Sequence, residues 1–417
     1  MAMPPNPFII GKPAPPSHFI GRRAEIATAF DLIFNRSHLA VWGGPGMGKT
    51  SFLEQLANPT VWEEQGLDPS EAVIVLLDCE SIIPFSGAGF WHEVLTGVKE
   101  QLEGSSRLHS EIERLLAQGQ ASRNSLRQVL AKLGEQGKFL LLLVDDYHAA
   151  LIPNPKYTEA DVETFLSECR SLAHNQERQY LSMIITSSRR LNELGPPLNP
   201  YSSPWYNHYF FQPLKPFTDG EIAALLGETL TPELQQGVRQ ITGGNPYLLQ
   251  IVSSLLYQQK EQGTEKPNFE ALAKEFESRT DSFFQSIWQL SNEVEQTLMM
   301  LLALSDLQGR LHNQKYDLSG INIIFRQQER ELRYLEERNV ITHRIENGQK
   351  VYSFTSSLME RLVIQELANS NDTWLQKRQK ILLKIMSRRQ TKQVTRAIQW
   401  LWQHKKMCDL SCDGLEN

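Results

Sequence analysis

The chain has 417 residues, 41% of them hydrophobic and 22% charged, with a formal net charge of −6. That composition excludes a disordered or fibrous protein, and the length predicts several domains because single cores stop growing near roughly 250 residues. The longest apolar run, Phe139 to Val144, is far short of the ~20 residues a bilayer span needs, and four scattered cysteines make no disulfide framework. A cytoplasmic location with no membrane span is expected.

Six prolines fall among the first sixteen residues, which predicts an extended arm over 1–16 rather than helix or central strand. From Ser37 to about Gln212 short apolar runs, "HLAVW", "AVIVLLD", "FLLLLVDD", "LSMIITSS" and "HYFFQ", alternate with longer amphipathic segments. This pattern predicts an α/β fold with a largely parallel sheet covered on both faces, over 17–213. After Pro213 helices take over: a capping box from Thr218 to Glu221 opens the first, and Pro232 and Pro246 stand at first helical positions, giving a small helical domain over 214–268. Further helices from Phe269 to Leu304 precede "ELRYLEERNVITHRIENGQKVYSF", in which two β-rich runs meet around Asn347-Gly348, a strong hairpin signal. Helices followed by such a hairpin predict a winged helix over 269–368, with Arg326 to Arg338 as its recognition helix.

The remainder, 369–417, is expected to be helical and basic. Trp374 to Lys406 contains ten Lys or Arg and no acid, interleaved with Trp374, Trp400 and Trp402, so the rest of the chain is strongly acidic. Such a segment can contact nucleic acid or an anionic surface, or dock on the acidic remainder of its own chain. His404, Cys408 and Cys412 share a helical spacing but lack the paired cysteines and fourth ligand of a structural zinc site.

Chemistry concentrates in "GGPGMGKT". Gly43, Gly48, Lys49 and Thr50 complete the pattern G-x-x-x-x-G-K-[ST] between an apolar strand and a helix, where backbone N–H groups curl around phosphate oxygens and the helix N-terminus adds partial positive charge. Lys49 is assigned to the β- and γ-phosphates, Thr50 to Mg²⁺, and Gly44, Pro45, Gly46, Met47 and Ser51 complete the loop. Asp145 and Asp146 end an apolar strand, a costly place for two like charges unless a cation shares it. Asp145 is therefore expected to hold Mg²⁺ with Thr50, and Asp146 to orient or deprotonate the attacking water. Ser188 and Arg189, at the end of "IITSSRR", are candidates for reading the γ-phosphate. With no guanine-specific N-K-x-D motif present, adenine is expected, so the ligands are ATP or ADP with Mg²⁺.

"FIGRRAEI", "GGPGMGKT", "LLLLVDD", "IITSSR" and "GGNP" together resemble, in order, signal-transducing ATPases with numerous domains, the STAND branch of AAA-related P-loop ATPases, over about Phe19 to Gln250. The resemblance implies a five-stranded core of order 5-1-4-3-2, a helical lid and a winged helix, switching between ADP and ATP states with slow hydrolysis. It implies that Phe19, Ile20, Gly21 and Arg22 lie beside the adenine, that Glu25 fills an acidic position, and that Pro246 of the lid packs near the adenine or sugar. It also implies a homo-oligomer in the ATP state, and the missing effector domain leads us to expect a protein partner in trans. Where many members carry a phosphate-contacting histidine, this chain has "YSFTSS", with Thr355 or Ser356 at that place. The same core and winged helix also resemble AAA+ DNA-binding ATPases of the origin-recognition or transposition-regulator type, though Arg326 to Arg338 balances four arginines with four glutamates. A scaffold that binds nucleotide and hardly hydrolyses it is the third reading.

Overall fold

The computed structural model describes residues 6–369 apart from 103, 105, 197–202, 227–231, 262–268, 309, 312–313 and 316–320. The basic segment Trp374 to Lys406 and the set His404, Cys408 and Cys412 lie outside the described residues. The chain divides into two compact units, one of residues 9–225 and one that joins 1–8 to 226–417. No described helix is long and apolar enough to cross a membrane.

In the unit of residues 9–225 the order is α1 (Arg23–Phe34), β1 (His38–Trp42), α2 (Lys49–Ala57), α3 (Pro59–Glu64), β2 (Ala72–Asp78), α4 (Gly87–Glu100), α5 (Arg107–Ala117), α6 (Arg123–Glu135), β3 (Phe139–Asp145), α7 (Glu159–His174), β4 (Leu181–Ser187) and β5 (Tyr209–Pro213). The five strands are parallel in the order β2-β3-β4-β1-β5, the expected 5-1-4-3-2 arrangement seen from its other edge. Strand side chains alternate between the two faces. Leu140, Leu142 and Val144 of β3 pack into the core under α4, α6 and α7, while Phe139, Leu141 and Leu143 join the opposite core built on Phe30 of α1, Phe52 of α2 and Trp62 of α3. Because both faces are covered, β3 and β4 are buried along their whole length, and their apolar runs show no alternation in sequence.

The helices of this unit start where short polar side chains satisfy free backbone N–H groups: Ser86, Ser106 and Ser122 cap α4, α5 and α6, and Thr158 with Asp161 forms a capping box on α7. At α2 the N-cap is Gly48, and no side chain caps the first turn. Its N–H groups face the loop that precedes it.

α8 (Asp219–Leu226) ends the first unit. In the second unit follow α9 (Pro232–Thr242), α10 (Pro246–Glu261), α11 (Phe269–Leu290), α12 (Glu293–Asp306), the two-residue strands β6 (Arg310–Leu311) and β7 (Gln314–Lys315), α13 (Ile321–Gln327), α14 (Glu329–Glu337), β8 (Ile341–Glu346), β9 (Gln349–Phe354) and α15 (Ser357–Asn369). The hairpin turns at Asn347 and Gly348, both in the left-handed region, as that dipeptide foretold. β6 and β7 were not foreseen, being too short for any period. The expected helix from Arg326 to Arg338 is instead interrupted at Gln328, a buried residue with φ −103° and ψ 28° that separates α13 from α14. α14 alone carries four glutamates against two arginines.

Residues 6–8 belong to this second unit: the Asn6 amide donates to Ser254 Oγ at 2.8 Å, and the ring of Phe8 meets that of Tyr257 edge-on. The turn that opens α10 is tied to the hairpin. Asn339 Nδ2 donates to Gly243 O at 3.1 Å, Ser356 Oγ to Ile241 O at 2.6 Å, and Thr355 Oγ1 to Asn339 O at 2.5 Å. Gly243, at φ 60°, approaches so closely that a Cβ there would lie 2.8 Å from Thr355 Cβ. Nearby, the buried Arg338 pairs with the fully buried Glu295 at 2.9 Å, and Glu295 also caps α12 through the Asn292 amide. GGNP and the hairpin are therefore parts of one packed body.

Candidate functional site: a phosphate loop at the strand ends

β1 is buried throughout and delivers Gly43 to the carboxyl edge of the sheet, where ligands of open α/β folds bind. The loop Gly43 to Gly48 needs glycine for distinct reasons. Gly46 and Gly48 have φ of 73° and 82°, and a Cβ on Gly43 would crowd Leu214 O and Met47 Cβ at 3.2 Å. Met47 turns inward and is buried with Phe52 and Val41, anchoring the loop from below. Lys49 follows at the first position of α2, its ammonium donating to Gly43 O at 3.2 Å. Burial lowers the Lys49 pKa from its ordinary value, against the opposing charges of Asp146, Asp145 and Glu80. A desolvated cation beside an uncapped helix start is arranged to receive an anion.

Parallel register then sets the acids. Asp78 pairs with Asp145, and Val41 with Thr186, so that β1, β4, β3 and β2 end at nearly one level. The buried Asp145 carboxylate is held from both sides: Thr50 Oγ1 donates to Oδ2 at 2.5 Å and Thr186 Oγ1 donates to Oδ1. Thr186 also accepts the Asp146 N–H at 3.1 Å. Asp146 stands at φ 44°, ψ 44°, a left-handed conformation that costs a non-glycine residue about 1–3 kcal/mol and clusters at functional sites. Burial, then the neighbouring Asp145, raises the Asp146 pKa, opposed by Lys49 and His148.

Thr50 and Asp145, a hydroxyl and a carboxylate already in contact beside the loop, are the hard oxygen donors Mg²⁺ takes. Bound there, the ion would neutralise charge on the β- and γ-phosphates.

The remaining expected residues divide. Ser51 accepts the Ala14 N–H at 2.9 Å and so fastens residues of the proline-rich arm to α2. Ser188 and Arg189 are half-buried just beyond β4, where Ser187 Oγ donates to Arg189 O, and Arg190 lies over the Trp42 ring at 4.9 Å. Gly44 is buried and Pro45 half-buried in the loop. Phe19 packs on the α1–α2 core and Ile20 is half-buried beside it. Gly21, at φ 71°, leaves no room for a side chain, since a Cβ would fall 2.1 Å from Glu221 Oε1. Arg22 is buried against the loop, donating Nη2–H to Met47 O at 3.2 Å and pairing with Glu25 at 3.6 Å. Its backbone N–H bonds Glu221, whose carboxylate also closes the capping box with Thr218. Pro246 belongs to the other unit, where it opens α10 after the Asn245 cap.

Two residues at these strand ends had not been assigned a place in the site, Glu80 and His148, while Thr186, expected with its neighbours to face the γ-phosphate, instead holds the two acids. Glu80 sits two residues past Asp78, and His148 Nε2 lies 3.3 Å from Glu80 Oε1 and Nδ1 lies 3.7 Å from Asp146 Oδ1. The signal available in sequence was slight, an acid just past "AVIVLLD" and a histidine just past the Asp pair.

The profile of the AAA domain family matches residues 32–194, which span β1, the loop, both acids and β4. This stretch resembles an AAA-type P-loop domain. Among solved structures, the Walker-type ATPase PABY2304 of Pyrococcus abyssi aligns over 86% of this chain and 99% of its own at TM-score 0.54 with 13% identity. The ORC2 protein of Aeropyrum pernix, in its ADPNP-ADP complexes, aligns over 86% and 97% at TM-score 0.49 and 13% identity. No curated protein sequence matches the chain. At such identities the likeness to the Pyrococcus abyssi ATPase is one of fold.

Proposed function

We propose that the chain is a Mg²⁺-dependent AAA-type ATPase that binds ATP at the Gly43–Ser51 loop, hydrolyses it, and changes conformation with its nucleotide state. The observation that carries this reading is the closed chain of contacts Thr50–Asp145–Thr186–Asp146 beside Lys49, which joins the phosphate loop to two strand ends. Lys49 and the open N–H groups of α2 bind and orient the phosphates. Asp146 orients the water whose oxygen attacks the γ-phosphorus as the bond to the ADP oxygen breaks, and the water proton passes to solvent or phosphate. Ser188 and Arg189 read the γ-phosphate. The nucleotide state governs self-assembly and partner engagement.

Two observations favour an AAA-type ATPase acting on nucleic acid over the signal-transducing branch. The AAA domain family itself matches, and Thr355 and Ser356, which stand where the signalling proteins' histidine would fall, spend their hydroxyls on carbonyls of their own unit. We read α12 to α15 with the β8–β9 hairpin as a winged helix. Its α14 is net acidic and unsuited to a phosphate-lined groove, so duplex contact is assigned to Trp374–Lys406. The test measures phosphate release and duplex-DNA binding at rising salt, with full-length protein and a chain ending at residue 373. Mg²⁺-dependent turnover with salt-sensitive DNA binding lost on truncation is expected. Absence of turnover refutes the ATPase reading, and DNA-indifferent protein refutes the nucleic-acid reading alone.

A further inference from the structure

Asp146 is held firmly by its backbone and weakly by its side chain. Its N–H is shared between Asp145 Oδ1 and Thr186 Oγ1, both at 3.1 Å, and its left-handed conformation turns the chain sharply out of β3. Among the described residues, the cation-forming side chain within ion-pair distance of its carboxylate is His148.

The placement of His148 follows from the sheet. β2 and β3 are parallel neighbours with Asp78 level with Asp145, so the short turns that follow them, Cys79–Ser81 and Tyr147–Leu151, run side by side. In the second turn Tyr147 is buried completely and fixes that turn to the core. His148 then projects back between two carboxylates. Its Nε2 is 3.3 Å from Glu80 Oε1 and its Nδ1, buried and without a hydrogen bond among the described residues, faces Asp146 Oδ1 at 3.7 Å. Glu80 is itself set by the Asp78 side chain, whose Oδ1 accepts the Glu80 N–H at 2.8 Å. The ligand atoms of Glu80, Asp146 and His148 all lie within 4.8 Å of one another.

We propose that His148, seated by Glu80, is the positioning residue for Asp146 in ATP hydrolysis. The inference rests on the ATPase reading above and deepens it. An aspartate is a short side chain, and once its backbone is fixed its carboxylate direction depends on the torsions alone. The imidazole blocks rotation toward β2 and offers a polar edge that keeps the carboxylate directed at the loop. Glu80 keeps the ring from swinging to solvent, since it is the only partner of Nε2 among the described residues. Neither residue touches nucleotide in this scheme. Their effect is on the geometry of Asp146, where a misplacement of about 1 Å can cost about 100-fold in rate.

The experiment compares steady-state ATP turnover, ATP affinity by equilibrium binding, and melting temperature for wild type, His148→Ala, His148→Gln and Glu80→Gln, with His148→Ala also made in the Glu80→Gln background. His148→Ala is expected to lower kcat about 10- to 100-fold while KM and ATP affinity stay within about threefold. Glu80→Gln gives a smaller loss, and His148→Gln, which keeps a polar edge, recovers part of the rate. Losses of His148 and Glu80 are less than additive, because both act through one carboxylate. An unchanged kcat for His148→Ala in an enzyme whose wild type hydrolyses ATP overturns the inference and leaves the ATPase reading intact. Equal falls in kcat, affinity and melting temperature mean that His148 only staples two turns, which also overturns it. A wild type that never turns over ATP removes both.

Discussion

Thr186 offers the sharpest test of how the acids are held. Thr186→Val keeps the shape of a side chain that is wholly buried on β4, so it opens no cavity, but it removes the hydroxyl that donates to Asp145 and accepts the Asp146 N–H. A hydrogen bond to a charged group is worth about 1.5–3 kcal/mol, and the Asp146 N–H keeps its second acceptor in Asp145 Oδ1, so little is added for that amide. The net loss is about 2 kcal/mol, or about 30-fold in the folding equilibrium of the unit that carries the site. In urea, with an m-value of about 2 kcal/mol/M, that moves the midpoint down by about 1 M. The assay is urea unfolding followed by tryptophan fluorescence, with Thr186→Ser as the control that restores the hydroxyl. Mg²⁺-dependent ATP turnover is measured on the same proteins and falls in Val but not in Ser. A Val variant within 0.5 kcal/mol of wild type, by the usual tolerance for neutral surface changes, with normal turnover, refutes the idea that Thr186 holds the acid pair.

Lys49→Ala removes the charged donor of the loop, so ATP affinity falls at least about tenfold and turnover drops to background in filter binding and phosphate-release assays. Asp146→Asn abolishes turnover yet stabilises the nucleotide-free protein at neutral pH. The sign follows from a carboxyl whose pKa is raised by folding: its ionised form costs stability above the raised folded value, the cost shrinks as pH falls toward the unfolded value, and below that it is gone. Melting curves of the variant and wild type should therefore converge on acidification, and a gap that widens instead contradicts the assignment. Glu295→Ala removes the carboxylate that pairs with the buried Arg338 guanidinium, which costs about 3–5 kcal/mol, and lowers the melting of the 226–369 region by roughly 10 °C in calorimetry. ATP binding by the other unit should persist, since the phosphate loop lies wholly within residues 9–225.

What the sequence determined by itself was everything written in local terms. The strand-loop-helix of Val41 to Leu56 declares its glycines, lysine and threonine in one continuous stretch, and the apolar run into Asp145 and Asp146 declares a buried strand that ends in acid. The Asn347-Gly348 turn was equally legible, because a hairpin of that type requires positive φ at both residues. Tertiary structure decided what depends on partners distant in the chain. The register of β2 against β3 brings Glu80 beside His148, and that of β4 against β1 and β3 sets Thr186 on Asp145, pairings that no periodicity records. The hydroxyls of Thr355 and Ser356 were settled in the same way, by the packing of one segment on another. A chain announces which groups it will bury or turn, since those choices follow from each residue's own solvation and backbone freedom. Which buried groups meet is fixed only when strands choose their neighbours.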